Sequence, residues 1–575
     1  MLDKVVAAVE TEADRLVEEF HRPTGPRGHG SHCEVDREIE ERLRKHLQAI
    51  LPAAFAGEET GMSPGAKPGF TWLVDPHDGT YEFMQGRRGS AISVALLRGA
   101  QPVLGVVCSP MSPDRGRDTI AWAEGALSIL RNGRPVTNDL SRQSLYPDAF
   151  VWATASATLK PVAWSIAVAP ARYIAMPSVA YRMARIAAGD GVATVSLHGV
   201  NEYDIAAGMA LIAAANGVVL DAEGHEVVLQ GNSVSRVSGV FAGAPHAARQ
   251  LAKSDWGRVE REPRREPRTA LGFPRKSAWL ERAQGVLLGQ VIGDSLGSQV
   301  EFKIATEIAR LFPRGVRELA SGGPYHTIAG QPTDDSEMAL TLARSILRHR
   351  GFERDKVLDA YREWMQTRPI DIGETTERGL LGLHTTESES NGSLMRVSPI
   401  GVWAAGDPAR AAAAARQDST LTHPNPVCVE ACAGFCAAIA AGVAGADRKE
   451  MVKAAVAHCT GPAQEAILRN AAPDDFSRGR ALVALQNAFH RLASSASLEE
   501  SLVATVGYGG DTDTNAAIAG ALLGALHGRG AFPSRWVYRV LACRPLAEAA
   551  DPRPRPMVYW PDDVLELAEA LLHTR

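Results

Sequence analysis

Nothing in this sequence offers a polyanion a large complementary surface. Lys and Arg number 61 against 66 Asp and Glu, for a formal charge of -5 and a pI near 6.4, whereas nucleic-acid and membrane-surface binders usually carry a basic excess. Cysteine is scarce, and seven residues scattered along the chain make no disulfide framework and point to a reducing cytoplasm. The stretch from Met1 to Arg15 intersperses acids in an amphipathic pattern and lacks the apolar segment of a signal peptide. Long apolar runs are missing too: the richest, Cys432 to Ala446, is made largely of alanine and glycine and is too short for a membrane span. What remains is a globular chain of 575 residues, too long for one core and expected to hold roughly two to four domains.

Residues 1–255 alternate two periods. Leu2 to Glu19 and Asp36 to Ile50 read as helices, and Ala91 to Leu97, Val103 to Cys108 and Val192 to Leu197 as strands, which together predict an α/β layered sandwich. Residues 256–276 mix charge with proline, as in Arg258 to Arg268, and read as a solvated linker. Residues 277–575 lose the strand signal. Leu280 to Ile292, Ser336 to Arg348, Val427 to Val443, Leu498 to Val506 and Asn515 to His527 carry helical periodicity, so this domain is expected to be all-α.

The first domain is organised around Trp72 to Thr80. Phe70 to Val74 is an apolar run that reads as a buried strand, with Asp75-Pro76 stopping it because proline has no amide hydrogen. Asp75 and Asp78 are thereby delivered to a strand end, where α/β folds place their sites, and can converge on a cation. A helix is expected from Asp204, its amino end presenting partial positive charge to an anion. Oxygen donors without thiol or imidazole select hard cations, so Mg2+ is expected over Zn2+.

Asp75-Pro76-His77-Asp78-Gly79-Thr80 resembles the Asp-Pro-x-Asp-Gly-Thr motif of the inositol monophosphatase superfamily, and Gly57-Glu58-Glu59-Thr60 and Asn201 to Gly208 resemble its other two motifs in order. The resemblance implies a lithium-sensitive, metal-dependent phosphatase. Glu58, Asp75, Asp78, Asp204 and the carbonyl of His77 would be the ligands, Gly79 would meet the substrate, and Thr80 paired with Asp36 would orient the attacking water. About two or three Mg2+ ions, or Mn2+, would bind. His77 replaces the usual Ile or Leu and Tyr203 the usual Trp. Tyr81-Glu82-Phe83 after Thr80 looks more like the 3'(2'),5'-bisphosphate nucleotidase branch, which favours a nucleotide-like ester over an inositol-like one.

In the second domain Thr333-Asp334-Asp335 and Asp511-Thr512-Asp513-Thr514 each precede a helical pattern, so four carboxylates and accompanying hydroxyls could hold hard cations. These residues, with Gly285 to Asp294, Val300-Glu301-Phe302, Ser390 to Arg396 and Thr422-His423-Pro424, resemble the ADP-ribosylglycohydrolase family over roughly residues 277–545. The family is an all-α bundle that hydrolyses a bond at C1'' of ADP-ribose with about two Mg2+ ions. Carried over, Thr333, Asp334, Asp335, Asp511, Asp513 and Thr514 are metal ligands, and Glu301 is the carboxylate that stabilises the oxocarbenium-like state. The backbones of Asn391, Gly392 and Ser393 and of Tyr508, Gly509 and Gly510 would let amides approach the diphosphate. Ser336-Glu337 replaces a usual Thr-Gln, which bears on substrate preference.

The sequence therefore predicts a bifunctional hydrolase acting on a phosphate ester and an ADP-ribosylated substrate, with one phosphorylated ADP-ribose derivative as a candidate for both sites. The alternative is that one domain is silent and only binds nucleotide or ADP-ribose. Cys428, Cys432 and Cys436 share a helix face and read as core thiols. His29, His32 and Cys33 lie together in a Gly/Pro-rich loop, where a plain loop is the simpler reading than a metal site.

Overall fold

A computed structural model describes residues 1–230, 234–269, 277–474 and 479–574. The chain divides into two compact units, one containing Met1–Pro267 and the other beginning at Arg268.

The first unit is a layered α/β domain. Its larger sheet has eight strands, in the order 134–136, 129–131, 116–123, 101–112, 91–98, 67–78, 53–57 and 61–63. All neighbours are antiparallel except Ala53–Gly57 and Lys67–Asp78, which run parallel. Helices Leu2–Phe20 and Glu34–Ile50 cover one face, where Val9, Leu16, Phe20, Ile39 and Leu43 meet Phe55, Trp72, Val94 and Leu104 in one core. Helices Val179–Ala187 and Glu202–Ala214 lie on the other face. Val179–Ala187 also touches a second, five-stranded sheet built around Phe150–Ala153, Ala193–Ser196 and Val240–Gly243.

Strand Lys67–Asp78 does not stop at Asp75-Pro76 as the sequence suggests. Pairing lapses after Asp75↔Ser93 and resumes at Asp78↔Ala91. Proline is tolerated at such an irregularity because no ladder amide is required of it there.

Among the described residues the second unit is helical. Its centre is the pair Leu280–Gly297 and Thr512–His527. Gly285, Gly289, Gly293 and Gly297 recur every four residues, and a Cβ at any of them would run into the backbone of Gly524, Gly520, Ala516 or Thr512 respectively. The two helices thus touch main chain to main chain. Pro426–Val443 is apolar over 18 residues but mostly buried within the domain. Its Cys428, Cys432 and Cys436 are free, buried thiols.

The charged segment expected to be a solvated linker is largely folded. Gly257–Arg261 is a helix, Lys160 Nζ donates to the Val259 carbonyl at 2.6 Å, and Glu262 accepts from the Ala163 amide at 2.7 Å. Arg268 pairs with Asp562, and the Thr269 hydroxyl donates to Asp563 at 2.8 Å. Charge and proline suggest solvation only while their partners, hundreds of residues away in sequence for Arg268, are unknown. Residues 270–276 lie outside the described residues.

Candidate active sites

Parallel pairing builds the first site. Gly57 stands opposite Val74 and the Glu58 amide donates to the Val74 carbonyl at 3.2 Å, so Glu58 follows its strand at the level of Asp75. Glu40, fully buried in helix Glu34–Ile50, fixes this corner by accepting from the amides of Glu59 at 2.8 Å and Thr60 at 2.7 Å. Asp204 arrives on the first turn of helix Glu202–Ala214, where it accepts from the Asn201 amide at 2.7 Å in a capping box. Asp78 accepts from Ser178 Oγ at 2.5 Å and from the Ala180 amide at 2.7 Å, tying it to the start of helix Val179–Ala187. Gly79 takes φ 96°, a left-handed conformation that turns the chain into the short helix Thr80–Phe83.

Glu58, Asp75, Asp78 and Asp204 converge closely enough to perturb one another. Burial, then the charges of Glu58, Asp78 and Asp204, push Asp75 well above the usual carboxylate range. Asp204 is raised by burial and then by Asp78, while burial pushes Glu58 up to about 7. A divalent cation fits this donor set, because four carboxylates repel one another in a buried corner where the charge of Arg182 offsets only part of that of Asp78.

The Thr80 hydroxyl lies 2.7 Å from the His77 carbonyl and 3.3 Å from Asp36 Oδ2. The sequence reading uses only the carbonyl of His77. The ring is engaged as well: Nδ1 is 2.7 Å from Asp36 Oδ1 and Nε2 is 3.1 Å from Ser90 Oγ.

The second site lines a cavity of about 880 Å³. Asp334 and Asp335 open helix Asp334–His349, and Asp511 and Asp513 flank the start of Thr512–His527. Glu301, Asp334, Asp335, Asp511, Asp513 and Thr514 line the cavity together. Thr333 is buried beneath it, its hydroxyl 3.0 Å from Asp294 and 3.1 Å from Asp335. Carboxylate oxygens of Glu301, Asp511 and Asp513 lie within 4.8 Å of one another. Burial pushes Glu301 up to about 7 and, with neighbouring charges, holds Asp334, Asp335 and Asp513 well above their ordinary values. Glu301 Oε2 and Asp335 Oδ1 are buried without a hydrogen-bond partner, which again fits a cation.

Asn391 and Gly392 line the cavity, and Asn391 Nδ2 donates to Asp511 at 2.6 Å. A Cβ on Gly392 would lie 2.7 Å from Thr376 Oγ1, so the loop there passes with no room for a side chain. Ser393 instead faces the interior, within 2.9 Å of Ser419 Oγ and 3.4 Å of Cys432 Sγ. Cys428 and Cys436 reach the carbonyls of Ser390 and Val397, so three thiols grip this loop from behind. Tyr508 lines the cavity under Arg491, whose guanidinium sits 5.0 Å from the ring. The amides of Tyr508, Gly509 and Gly510 are not open to a diphosphate. They donate to the carbonyls of Thr505, Val506 and Lys303, because this turn pairs with residues 302–304.

Ser336 and Glu337 are absent from the cavity wall. Glu337 is buried against Arg555 at 2.7 Å and accepts from Trp364 Nε1 at 2.8 Å, an internal pair rather than a substrate contact. Sequence reasoning missed Asp371, which lines the cavity and accepts from the Tyr325 hydroxyl at 2.8 Å. Its only local signal is the short Asp371-Ile372-Gly373 run before helix Glu374–Leu380. His423, which also lines the cavity, is driven down to about 3 by burial and by Arg396, so its ring is neutral between Thr422 and Ser390.

Two oxygen-donor constellations on two separately folded scaffolds define a two-domain hydrolase. The chain belongs to the ADP-ribosylglycohydrolase family, whose model matches residues 275–574, and its first domain is of the inositol monophosphatase family, matched over residues 7–257. It is 28% identical over 278 residues to ADP-ribosyl-(dinitrogen reductase) glycohydrolase of Rhodospirillum rubrum, covering 45% of this chain and 90% of that protein. The first domain is 31% identical over 103 residues to the fructose-1,6-bisphosphatase/inositol-1-monophosphatase of Aquifex aeolicus, covering 18% of this chain and 37% of that one. Among solved structures, an ADP-ribosylglycohydrolase-related protein complex aligns with a TM-score of 0.43 at 28% identity, over 52% of this chain and 98% of that chain.

Proposed function

We propose that the chain is a bifunctional, Mg2+-dependent hydrolase of the cytoplasm, with Mn2+ able to substitute. One site removes phosphate from a nucleotide-like monoester and the other cleaves an ADP-ribosyl bond at C1''. The observation that carries this reading is the pair of carboxylate clusters, each raised first by burial and then by neighbouring carboxylates, beside residues suited to the rest of the chemistry.

In the first site Glu58, Asp75, Asp78, Asp204 and the His77 carbonyl would hold the cations, with the Gly79 turn beside the phosphate. Thr80 and Asp36 orient a water for in-line attack. In the second, Thr333, Asp334, Asp335, Asp511, Asp513 and Thr514 would hold the cations, and Glu301 stabilises positive charge developing at C1''. When bound, the cations polarise substrate oxygens and acidify water. The Asn391-Gly392 loop is the better placed of the two glycine-rich segments to meet the diphosphate, since the amides of Tyr508, Gly509 and Gly510 are all committed internally, whereas of this pair the Asn391 amide is the one so committed, to the Gly479 carbonyl at 3.1 Å.

The Tyr81-Glu82-Phe83 wording favours an adenosine-type phosphate in the first site, so both sites would handle one scaffold, a phosphorylated ADP-ribose derivative. The test is product analysis by mass spectrometry on phosphorylated nucleotides, inositol phosphates, ADP-ribosylated peptides and 2'- or 1''-phosphorylated ADP-ribose. Asp78→Ala should abolish only phosphate release and Asp335→Ala only cleavage at C1''. Loss of both activities in either folded variant would overturn the two-site reading. Rejection of every ADP-ribose phosphate by the first site would remove the shared scaffold.

A further inference from the structure

Beside the oxygen-donor cluster of the first domain lies a second group of a different chemical kind. Cys33 ends the strand His32–Cys33 and precedes helix Glu34–Ile50, Asp36 sits on the first turn of that helix, and His77 lies where pairing lapses near the end of strand Lys67–Asp78. All three are buried, at 0%, 3% and 1% exposure. Their ligand atoms lie within 4.8 Å of one another.

We propose that Cys33, Asp36 and His77 form a site for a borderline-soft divalent cation of the Zn2+ type, separate from the hard-cation site. Sulfur, nitrogen and oxygen donors in one group select such an ion, whereas the all-oxygen cluster beside it selects Mg2+. Three protein ligands leave the fourth tetrahedral position to water.

The surroundings are built for a fixed imidazole. His77 Nε2 meets Ser90 Oγ at 3.1 Å, the outer hydrogen bond that orients metal-bound histidines, and Ser90 is held in turn because its carbonyl accepts from Ser109 Oγ at 2.9 Å. The ring also packs edge-on to Phe83, centroids 4.3 Å apart. Nδ1 is thereby aimed at Asp36 Oδ1, 2.7 Å away, and a proton bridges the two in the absence of a cation. Opening that hydrogen bond by a fraction of an ångström gives the spacing of two ligands on one ion. Burial and the nearby Asp36 charge push the Cys33 thiol up to about 12, so the thiol keeps its proton until a cation replaces it.

Occupancy has a consequence that rests on the phosphatase reading. Asp36 faces Thr80 with its other oxygen, at 3.3 Å. A cation held on Oδ1 drains the carboxylate charge that Asp36 offers Thr80 through Oδ2 and silences the first site, leaving the second untouched.

The test uses the full chain with Mg2+ in excess, titrated with Co2+ as the spectroscopic probe. A thiolate-to-cobalt charge-transfer band in the near ultraviolet, saturating at one equivalent, is expected, since Co2+ on oxygen ligands alone gives none. Cys33→Ser should abolish the band and Cys432→Ser should keep it, with circular dichroism reporting the fold of each. If Cys33→Ser does not fold, Cys33→Ala serves the same reading. No band in the wild type, or a band that survives removal of the Cys33 thiol, overturns the site. Zn2+ should displace the Co2+, and bind the Cys33 variant weaker by at least the roughly 10–100-fold that loss of an outer partner alone costs. With p-nitrophenyl phosphate as substrate, Zn2+ should inhibit the wild type and spare Cys33→Ser. Binding without inhibition overturns the link to Thr80, and absence of any phosphatase turnover counts against the proposed function while the cobalt spectrum still decides the site.

Discussion

Asp294 holds Thr333 twice: the Thr333 amide and the Thr333 hydroxyl each lie 3.0 Å from Asp294 Oδ1, and the Ser336 amide lies 3.0 Å from Oδ2. One fully buried carboxylate on helix Leu280–Gly297 therefore fixes the first turn of the helix that carries Asp334 and Asp335.

Asp294→Ala should strand the buried amides of Thr333 and Ser336, each costing about 1–3 kcal/mol when unpaired, though not additively, while the Thr333 hydroxyl can still turn to Asp335. We expect the urea midpoint of the second domain to fall by an amount equivalent to about 3 kcal/mol, with cleavage at C1'' lost. Asp294→Asn, which keeps an acceptor, should lose less. An unchanged midpoint in the alanine variant would contradict the role assigned to Asp294.

Proton and metal should compete at both sites. Glu58 and Glu301 are each pushed from 4.5 up to about 7, first by burial. A folded-state value above the unfolded one means that the metal-free protein keeps this stability below about pH 4.5 and loses it as the pH rises through about 7. Mg2+ supplies the missing positive charge, so the rise in Tm it produces over EDTA should be larger at about pH 8 than at about pH 5. Differential scanning fluorimetry would show it, and equal shifts would contradict a carboxylate-held cation.

Arg555→Ala leaves Glu337 buried without its cation, a change that typically costs about 3–5 kcal/mol. The effect should appear in unfolding, while KM for the ADP-ribosylated substrate stays near wild type in protein that remains folded. A large rise in KM would restore the idea that the Ser336-Glu337 pair shapes the substrate.

Gly289→Ala would drive a methyl into the backbone of Gly520 and should destabilise the second domain by about 1–3 kcal/mol. Gly507→Ala is the control, because a Cβ there meets nothing within 4 Å, and it should be neutral or stabilising by about 0.4–1 kcal/mol. Thermal unfolding of the two variants tests the contrast.

Much of both sites could be read from local spacing. Asp75 and Asp78 announce a strand end, and Asp334 and Asp513 announce helix starts, because a turn and a cap are made by neighbours in sequence. Asp371 escaped because its meaning comes from Tyr325, which lies far away in the chain and meets it only in the fold. The His77 ring escaped for the same reason, since Asp36 reaches it from helix Glu34–Ile50. The misread linker is the converse case. Arg268 resembles a solvated charge until Asp562 and the Met557 carbonyl are found beside it. Composition reports what a segment would do alone, and these segments are not alone.

The three thiols behind the Ser390–Val397 loop make that loop's opening countable. Cys428 and Cys432 are buried and their thiols are pushed up to about 12 by that burial, so neither offers a thiolate to solvent while the loop is seated. Alkylation must wait for a local excursion, and its rate becomes a clock for how often the wall of the cavity lets go. A ligand seated against Asn391 and Gly392 slows that clock without touching sulfur, which turns a structural thiol ladder into a chemical gauge of occupancy.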